Sequence, residues 1–320
     1  MAGIALFGAA GAIGRSIAAA LRAEGRPYRV VGRSRASLER DFGADPLAEI
    51  VTWTPDDPDS VRAAARGMDT IVHLVGVEYH QFQQHPVLMR QVLDGAVAEG
   101  VAKLLLIGTV YAYGRAVTMP VREDHPRRPH TFKGRMRKAQ EDLVLEADAA
   151  GRVRGAVLRL PDFYGPGVER SVLRSVIDAA AKGGRAQMLG PIDRPHEFLY
   201  VPDAGPVVTA LVARDDAWGR VWHLAGPGTI TAREAAGLAF AAAGRKPKLI
   251  VVGKLGLRLG GLFDRLLREL VEMHYLWTDP VVMDDSALQA LLGPIAKTSY
   301  AEGLRRSVMA AAGESRAETA

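Results

Sequence analysis

GAAGAIG, residues 8–14, follows the apolar run Ile4–Phe7 and heads a helical stretch that reaches Ala23. Its glycines stand at 8, 11 and 14. The first allows a tight turn, the second lets backbone approach a pyrophosphate, and the third lets helix and strand pack closely. Glycine spacing alone is weak evidence. Here it comes directly after a strand, directly before a helix, and opens a βαβ unit, which favours a dinucleotide loop over a ligand-free glycine-rich turn. Gly8, Gly11, Ala12, Ile13 and Gly14 form the expected phosphate cradle.

Short β-rich runs alternate with longer helical stretches on the carboxyl side of this loop. YRVVG (28–32), EIVTW (49–53), TIVHLVG (70–76), KLLLIGT (103–109) and GAVLRL (155–160) read as strands. A helix or loop is expected near 35–42, and helices over 58–66, 86–99 and 133–149. Six strands with helical crossovers predict an α/β fold, a Rossmann-type doubly wound parallel sheet. After Pro161 the pattern loosens into a helix near 169–182 and a short strand around AQMLG. HEFLYV (196–201) and RVWHLAG (220–226) read as returns to the sheet. The expected division is a dinucleotide-binding domain of 1–163 and about 196–227, with a smaller discontinuous substrate lobe of about 164–195 and 228–312. Residues 313–320 read as a polar, frayed tail.

The end of the second strand selects the cofactor. A carboxylate there would bind a ribose 2′-hydroxyl and repel a 2′-phosphate. This chain has Arg33, Ser34 and Arg35, with Arg15 just past the glycine loop. Guanidinium forks and a hydroxyl suit phosphate oxygens, so NADP(H) is expected over NAD(H). Leu74 and Val75, where the fourth strand ends, are expected to line the same cofactor.

Composition narrows the remaining classes. The 320 residues are 48% hydrophobic and 24% charged, with a net charge of +5, which suits a globular protein with a preference for anionic small molecules. Aromatics are 6% and form no basic–aromatic platform, so no nucleic acid is expected. The absence of cysteine excludes a thiolate nucleophile, and the histidines lack metal-ligand spacing, so no metal is expected. The apolar amino terminus lacks a cationic leader, and no long uninterrupted apolar run occurs. A cytoplasmic location without membrane attachment is expected, and a homodimer is left open.

Larger stretches carry a resemblance. GAAGAIG, DDPDSVRAAARGMDTIVHLVG (56–76), GTVYAYG (108–114), LRLPDFYGPG (158–167) and FLYVPDAGPVV (198–208) resemble the extended short-chain dehydrogenase/reductases, in particular the NAD-dependent epimerase/dehydratase group. The likeness covers nearly the whole chain. It implies hydride transfer to or from a nicotinamide, with an Asn, a Ser or Thr, a Tyr and a Lys doing the chemistry. The lysine, four residues after the tyrosine on one helical face, would lower the tyrosine pKa and hold the ribose.

This chain departs from that pattern. Thr109 keeps the hydroxyl, but the YxxxK frame falls on Lys133 and Arg137 within TFKGRMRKAQED (131–142), and the Asn position falls on His85. Trp53 and Thr54 stand where an acidic residue usually follows the third strand. Lys133 and Arg137 share a stripe with Met136, Gln140 and Val144 that should face the cleft, whereas Arg135 and Lys138 should face water. Arg137 is expected to replace the lysine as ribose ligand. Lys133, beside Arg137 and an oxidised nicotinamide, would be partly neutral through like-charge repulsion and act as general acid or base, or as an anion anchor. Tyr111 is a candidate displaced phenol. Tyr164, Arg159, Asp162, His196 and the helix ELVEMHYLW (269–277) are expected to shape the cleft, and His73 to be structural. The expected function is an NADP(H)-dependent oxidoreductase acting on a carbonyl or carbinol. The alternatives are a catalytically silent NADP(H)-binding sensor or partner-binding protein, and a sugar-nucleotide epimerase.

Overall fold

Ile4–Phe7 is buried along its whole length, as a strand covered by helices on both faces must be. This strand, β1, opens a regular alternation in the computed structural model, which describes residues 3–317. It continues through α1 (Ala12–Ala23), β2 (Tyr28–Gly32), α2 (Arg35–Phe42), β3 (Ala48–Thr52) and α3 (Pro58–Ala65). Next come β4 (Thr70–His73), α4 (Gln84–Ala98), β5 (Lys103–Thr109), α5 (Phe132–Ala149) and β6 (Arg154–Leu160). The second half holds β7 (Asp162–Tyr164), α6 (Arg174–Lys182), β8 (Ala186–Leu189), β9 (Pro195–Tyr200), α7 (Ala204–Val212) and β10 (Arg220–His223). After these follow β11 (Thr229–Thr231), α8 (Ala232–Ala242) and β12 (Leu249–Val252). The chain closes with α9 (Lys254–Gly260), α10 (Arg265–Met273), α11 (Tyr275–Thr278), α12 (Ser286–Leu292) and α13 (Tyr300–Ala317).

The central sheet has seven parallel strands in the order β10-β6-β5-β4-β1-β2-β3. This is the doubly wound architecture expected. The winding reverses between β1 and β4, and in such sheets the ligand crevice opens at the carboxyl ends of the strands at that point. Ile17, Leu21, Val208 and Leu211 cover one face, while Val61, Met89, Val92 and Val144 cover the other.

Three readings are corrected. HEFLYV does not return to the main sheet: β9 pairs with β7 and β11 in a separate three-stranded sheet, because RVWH already occupies the edge beside β6. The apparent strand TIVHLVG stops at His73; Leu74 still donates to the Phe7 carbonyl, then the backbone turns across the glycine loop. The tail begins later than expected, since α13 runs to Ala317, and residues 318–320 lie outside those described. The smaller lobe packs α6, α8 and α13 around Val176, Ala236, Phe240 and Leu304, with β8 and β12 paired in parallel.

Candidate active site

The three loop glycines differ in what their backbone demands. Gly8 has φ +92°, and a Cβ there would lie 2.8 Å from the Leu74 carbonyl carbon and 2.9 Å from Val75 Cα. Gly14 lies so close to the loop backbone after β1 that a Cβ would meet the Ala9 carbonyl oxygen at 2.3 Å. Gly11 has room: its Cβ would meet only the Gly8 carbonyl oxygen, at 3.5 Å. Gly11 is also the N-cap of α1 and supplies no capping side chain, whereas Ser34, Asp57 and Thr131 cap α2, α3 and α5. The first turn of α1 thus has N–H groups open to an anion, on a backbone that leaves space for one. Leu74 and Val75 lie directly beside this loop.

Around the second strand, Arg33 is exposed and has no ion pair among the described residues. Arg35 is exposed and paired with Glu39 at 2.8 Å, while Ser34 Oγ accepts from Ser37 N–H as the cap of α2. Arg15, grouped with these in the sequence reading, is otherwise engaged. Its guanidinium donates to the Ala10 and Gly167 carbonyls at 2.6 and 2.9 Å and braces the loop against the second lobe. Trp53 is buried edge-on against Phe7, so the missing acidic residue is replaced by core packing.

Thr131 caps α5 by accepting from Gly134 N–H, and the helix then turns Lys133, Arg137, Gln140 and Val144 inward as one buried stripe. Arg135 is exposed and Lys138 pairs with Asp142 on the outer side, as expected. Arg137 donates to His85 Nδ1 at 3.1 Å and to the Ile107 carbonyl at 3.0 Å. Since a guanidinium only donates, His85 must carry its proton on Nε2. Burial, then Arg137 and His73, push His85 down to about 2; burial and Arg137 push His73 down to about 3. Both imidazoles are neutral, which is why they tolerate the guanidinium. Burial lowers Arg137 to about 10, against the pull of Glu141 and Tyr111, so it stays charged at neutral pH.

His73 and Gln140 are buried with hydrogen-bonding atoms that have no partner among the described residues. Buried polar atoms are ordinarily satisfied, so unspent capacity beside Arg137 suits a polar ligand. The open side of Gly11 and this unspent capacity together fit a dinucleotide lying from the α1 terminus to the end of β5.

Lys133 corrects an expectation. Its like-charged neighbourhood is replaced by opposite charge: Nζ donates to Glu269 at 2.5 Å and to Glu272 at 3.0 Å, and the Lys133 backbone N–H donates to Glu272 at 2.9 Å. The rings of Tyr79 and Phe82 lie 5.8 and 5.7 Å from the ammonium, which is only 1% exposed. Both carboxylates come from α10, more than 130 residues away, beyond the reach of any local pattern. The expected helix ELVEMHYLW is broken at His274 into α10 and α11, and its first half supplies Glu269 and Glu272.

Thr109 Oγ1 accepts from Tyr111 N–H at 3.0 Å, which leaves its own O–H able to donate. The Tyr111 hydroxyl shares a 3.0 Å hydrogen bond with Tyr79, and burial raises the Tyr111 phenol well above its ordinary value. Tyr79 was not singled out by sequence. His196 pairs with Asp162 at 2.9 Å, bringing two expected cleft residues together. Tyr164 instead joins the core of the smaller lobe beside Tyr200 and Tyr300.

Arg159 lies under the site. It donates twice to Glu141, at 3.0 and 2.6 Å, and once to the Tyr113 hydroxyl, at 2.5 Å. Tyr113 Oη also bonds His223 Nε2 at 2.5 Å. Burial opposes the Arg159 charge, but Glu141 and Tyr113 more than offset it and hold the guanidinium above its usual range. Both members of the ion pair are 1% exposed, so removing one leaves an uncompensated buried charge. Glu141→Ala is expected to destabilise the protein by about 3–5 kcal/mol, read from the urea midpoint at unchanged slope.

The family model described as NAD dependent epimerase/dehydratase family matches residues 4–225. The chain belongs to that family. A nicotinamide dinucleotide is its cofactor. The chain is 30% identical to dTDP-6-deoxy-L-talose 4-dehydrogenase (NAD(P)(+)) of Kitasatospora kifunensis, over 62% of this chain and 66% of that enzyme. It is 27% identical to dTDP-glucose 4,6-dehydratase of Streptomyces griseus, over 74% of this chain and 77% of that one. The fold matches the crystal structure of DesIV, a dTDP-glucose 4,6-dehydratase from Streptomyces venezuelae with NAD and TYD bound. That match has a TM-score of 0.82 at 19% identity and covers 99% of this chain and 98% of that one.

Proposed function

We propose that this protein is an NADP(H)-dependent oxidoreductase of the epimerase/dehydratase type, acting on a carbonyl or carbinol in an anionic substrate. The observation that carries this reading is the Lys133 ammonium, one helical turn before Arg137 and held by two carboxylates. The two carboxylates take two of its three N–H donors and leave the third for a substrate oxygen. The relatives named for dTDP-sugar conversions support a sugar-nucleotide substrate, whose diphosphate is such an anion.

The bound nicotinamide would supply hydride transfer at C4. Arg137, anchored by His85 and the Ile107 carbonyl, holds the ribose beside it. The free O–H of Thr109 donates to the reacting oxygen. Lys133 has three N–H donors, of which Glu269 and Glu272 take two, and the third donates to the substrate. Those carboxylates are 27% and 26% exposed, so they connect a buried amine to solvent protons. The same clasp favours a second reading, in which Lys133 only secures α10 and the protein binds NADP(H) without turnover. Following NADPH oxidation against a panel of carbonyl substrates that includes dTDP-4-keto sugars separates the two. Tight NADPH binding without turnover on any member would establish the silent reading.

Cofactor choice is tested separately. The unpaired Arg33, with Arg35, is expected to bind the 2′-phosphate; Arg35 gives up only an exposed helix pair, about 0.3–0.5 kcal/mol. NADPH should bind at least about tenfold tighter than NADH, about 1.4 kcal/mol by calorimetry. Arg33→Asp should reverse the order, and equal affinities in the wild type would contradict the assignment.

A further inference from the structure

The segment that carries Glu269 and Glu272 turns an unusual face outward. Leu255, Leu259, Leu262, Phe263 and Leu266 are all exposed along α9 and the start of α10, Phe263 at 93% and Leu262 at 72%. Leu257 is the apolar residue of α9 that is buried, so the rest of the helix lies on the protein rather than in it. Next to it, Ile250 and Val251 on β12 are also exposed. An apolar surface of this extent on one segment marks an interaction site.

The charge of this face is one-sided. Lys254, Arg258, Arg265 and Arg268 are exposed among the leucines, and none has a carboxylate partner among the described residues. The acidic residues between 245 and 278 are Asp264, Glu269 and Glu272. Asp264 caps α10 by accepting from Leu267 N–H, and the two glutamates turn inward to Lys133. Every carboxylate of the segment therefore has a partner within the protein. Arg258 and Arg268 also meet over a cavity of about 310 Å³, whose lining includes Leu262 and Val271.

From this arrangement we infer that α9 and α10 form a docking face for an anionic lipid surface. Leu259, Leu262 and Phe263 would enter the headgroup–acyl boundary, with the phosphates of acidic lipids at Arg258 and Arg268. Helices with apolar and basic residues combined in this way lie in the plane of a membrane interface. No helix among the described residues is long and apolar enough to cross a membrane, so the contact would be peripheral. A second copy of the chain is a poorer occupant, because two such faces would bring arginines against arginines with no free carboxylate between them. The inference does not rest on the chemistry assigned to Lys133.

The test uses the full chain and sedimentation with vesicles of phosphatidylcholine, with and without phosphatidylglycerol. Wild type is expected to sediment with the anionic vesicles only, and to be released by high salt. Arg258→Ser and Arg268→Ser should each weaken binding about fivefold. Phe263→Ser should weaken it at least about tenfold, with circular dichroism and NADPH affinity unchanged. Failure of the wild type to sediment with anionic vesicles overturns the proposal, as does equal binding to both compositions. Self-association by analytical ultracentrifugation that Phe263→Ser abolishes, without vesicle binding, would assign the face to a second copy instead. Binding to polyglutamate as tight as to vesicles would assign it to an acidic polypeptide.

Discussion

Lys133→Met is expected to lower kcat by about a hundred- to ten-thousand-fold, the range of a lost general acid, with NADPH affinity within a few fold of wild type. The methionine keeps the length and apolar body of the side chain and removes the ammonium. Glu269 then loses its Lys133 partner and Glu272 keeps only the backbone N–H of residue 133, but both reach solvent, so the fold should survive. Arg137→Met should behave differently. It removes the bonds to His85 and the Ile107 carbonyl and the charge proposed to hold the ribose, so the cofactor itself should weaken. Lys138→Met removes only a surface pair with Asp142, worth about 0–1 kcal/mol, and should change neither quantity. Glu269→Gln/Glu272→Gln separates chemistry from anchoring, because it weakens the clasp and leaves the amine. If Lys133 only secures α10, this double variant and Lys133→Met will lose activity alike; if Lys133 is the acid, the double variant will retain the larger share. A pH profile of kcat that is the same in Lys133→Met and wild type would remove the amine from the mechanism.

Gly11→Val is expected to abolish dinucleotide binding while its circular dichroism spectrum stays near wild type. The backbone at Gly11 is extended, with φ −72° and ψ 161°, which any residue adopts. Its Cβ would touch protein only at the Gly8 carbonyl oxygen, 3.5 Å away. The branched side chain would instead fill the approach to the first turn of α1, where a pyrophosphate would accept N–H bonds. Gly14→Ala provides the contrast: a Cβ 2.3 Å from the Ala9 carbonyl oxygen forces α1 away from the loop backbone, so this variant should lose stability whether or not cofactor is present. Normal NADPH binding by Gly11→Val would show that the loop is not a phosphate cradle.

The dinucleotide half was legible because its signals are local. Strands buried on both faces read as apolar runs, and Gly8 and Gly14 are required by backbone conformation and close backbone approach at the loop. The stripe of Lys133, Arg137, Gln140 and Val144 was equally legible from helical periodicity, and the structure buries all four. The reading failed where contacts are distant in the chain. HEFLYV has the composition of a core strand, but which sheet it joins depends on RVWH, about twenty residues later, taking the edge beside β6. Tyr79 gave no signal of its own, because its partner Tyr111 lies on the far side of α4 and β5 in sequence.

The sequence by itself determined the doubly wound fold, the glycine loop between β1 and α1 and the basic end of the second strand, since each follows from residues close together and from the few backbone shapes open to them. The tertiary structure alone decided what surrounds Lys133. Two cations four residues apart on a helix suggest mutual repulsion, and helical spacing cannot reveal a carboxylate that arrives from another lobe. The burial of α5 made a partner necessary, because an ammonium withdrawn from water must be compensated. α10 provides it, and in doing so turns its leucines and arginines outward.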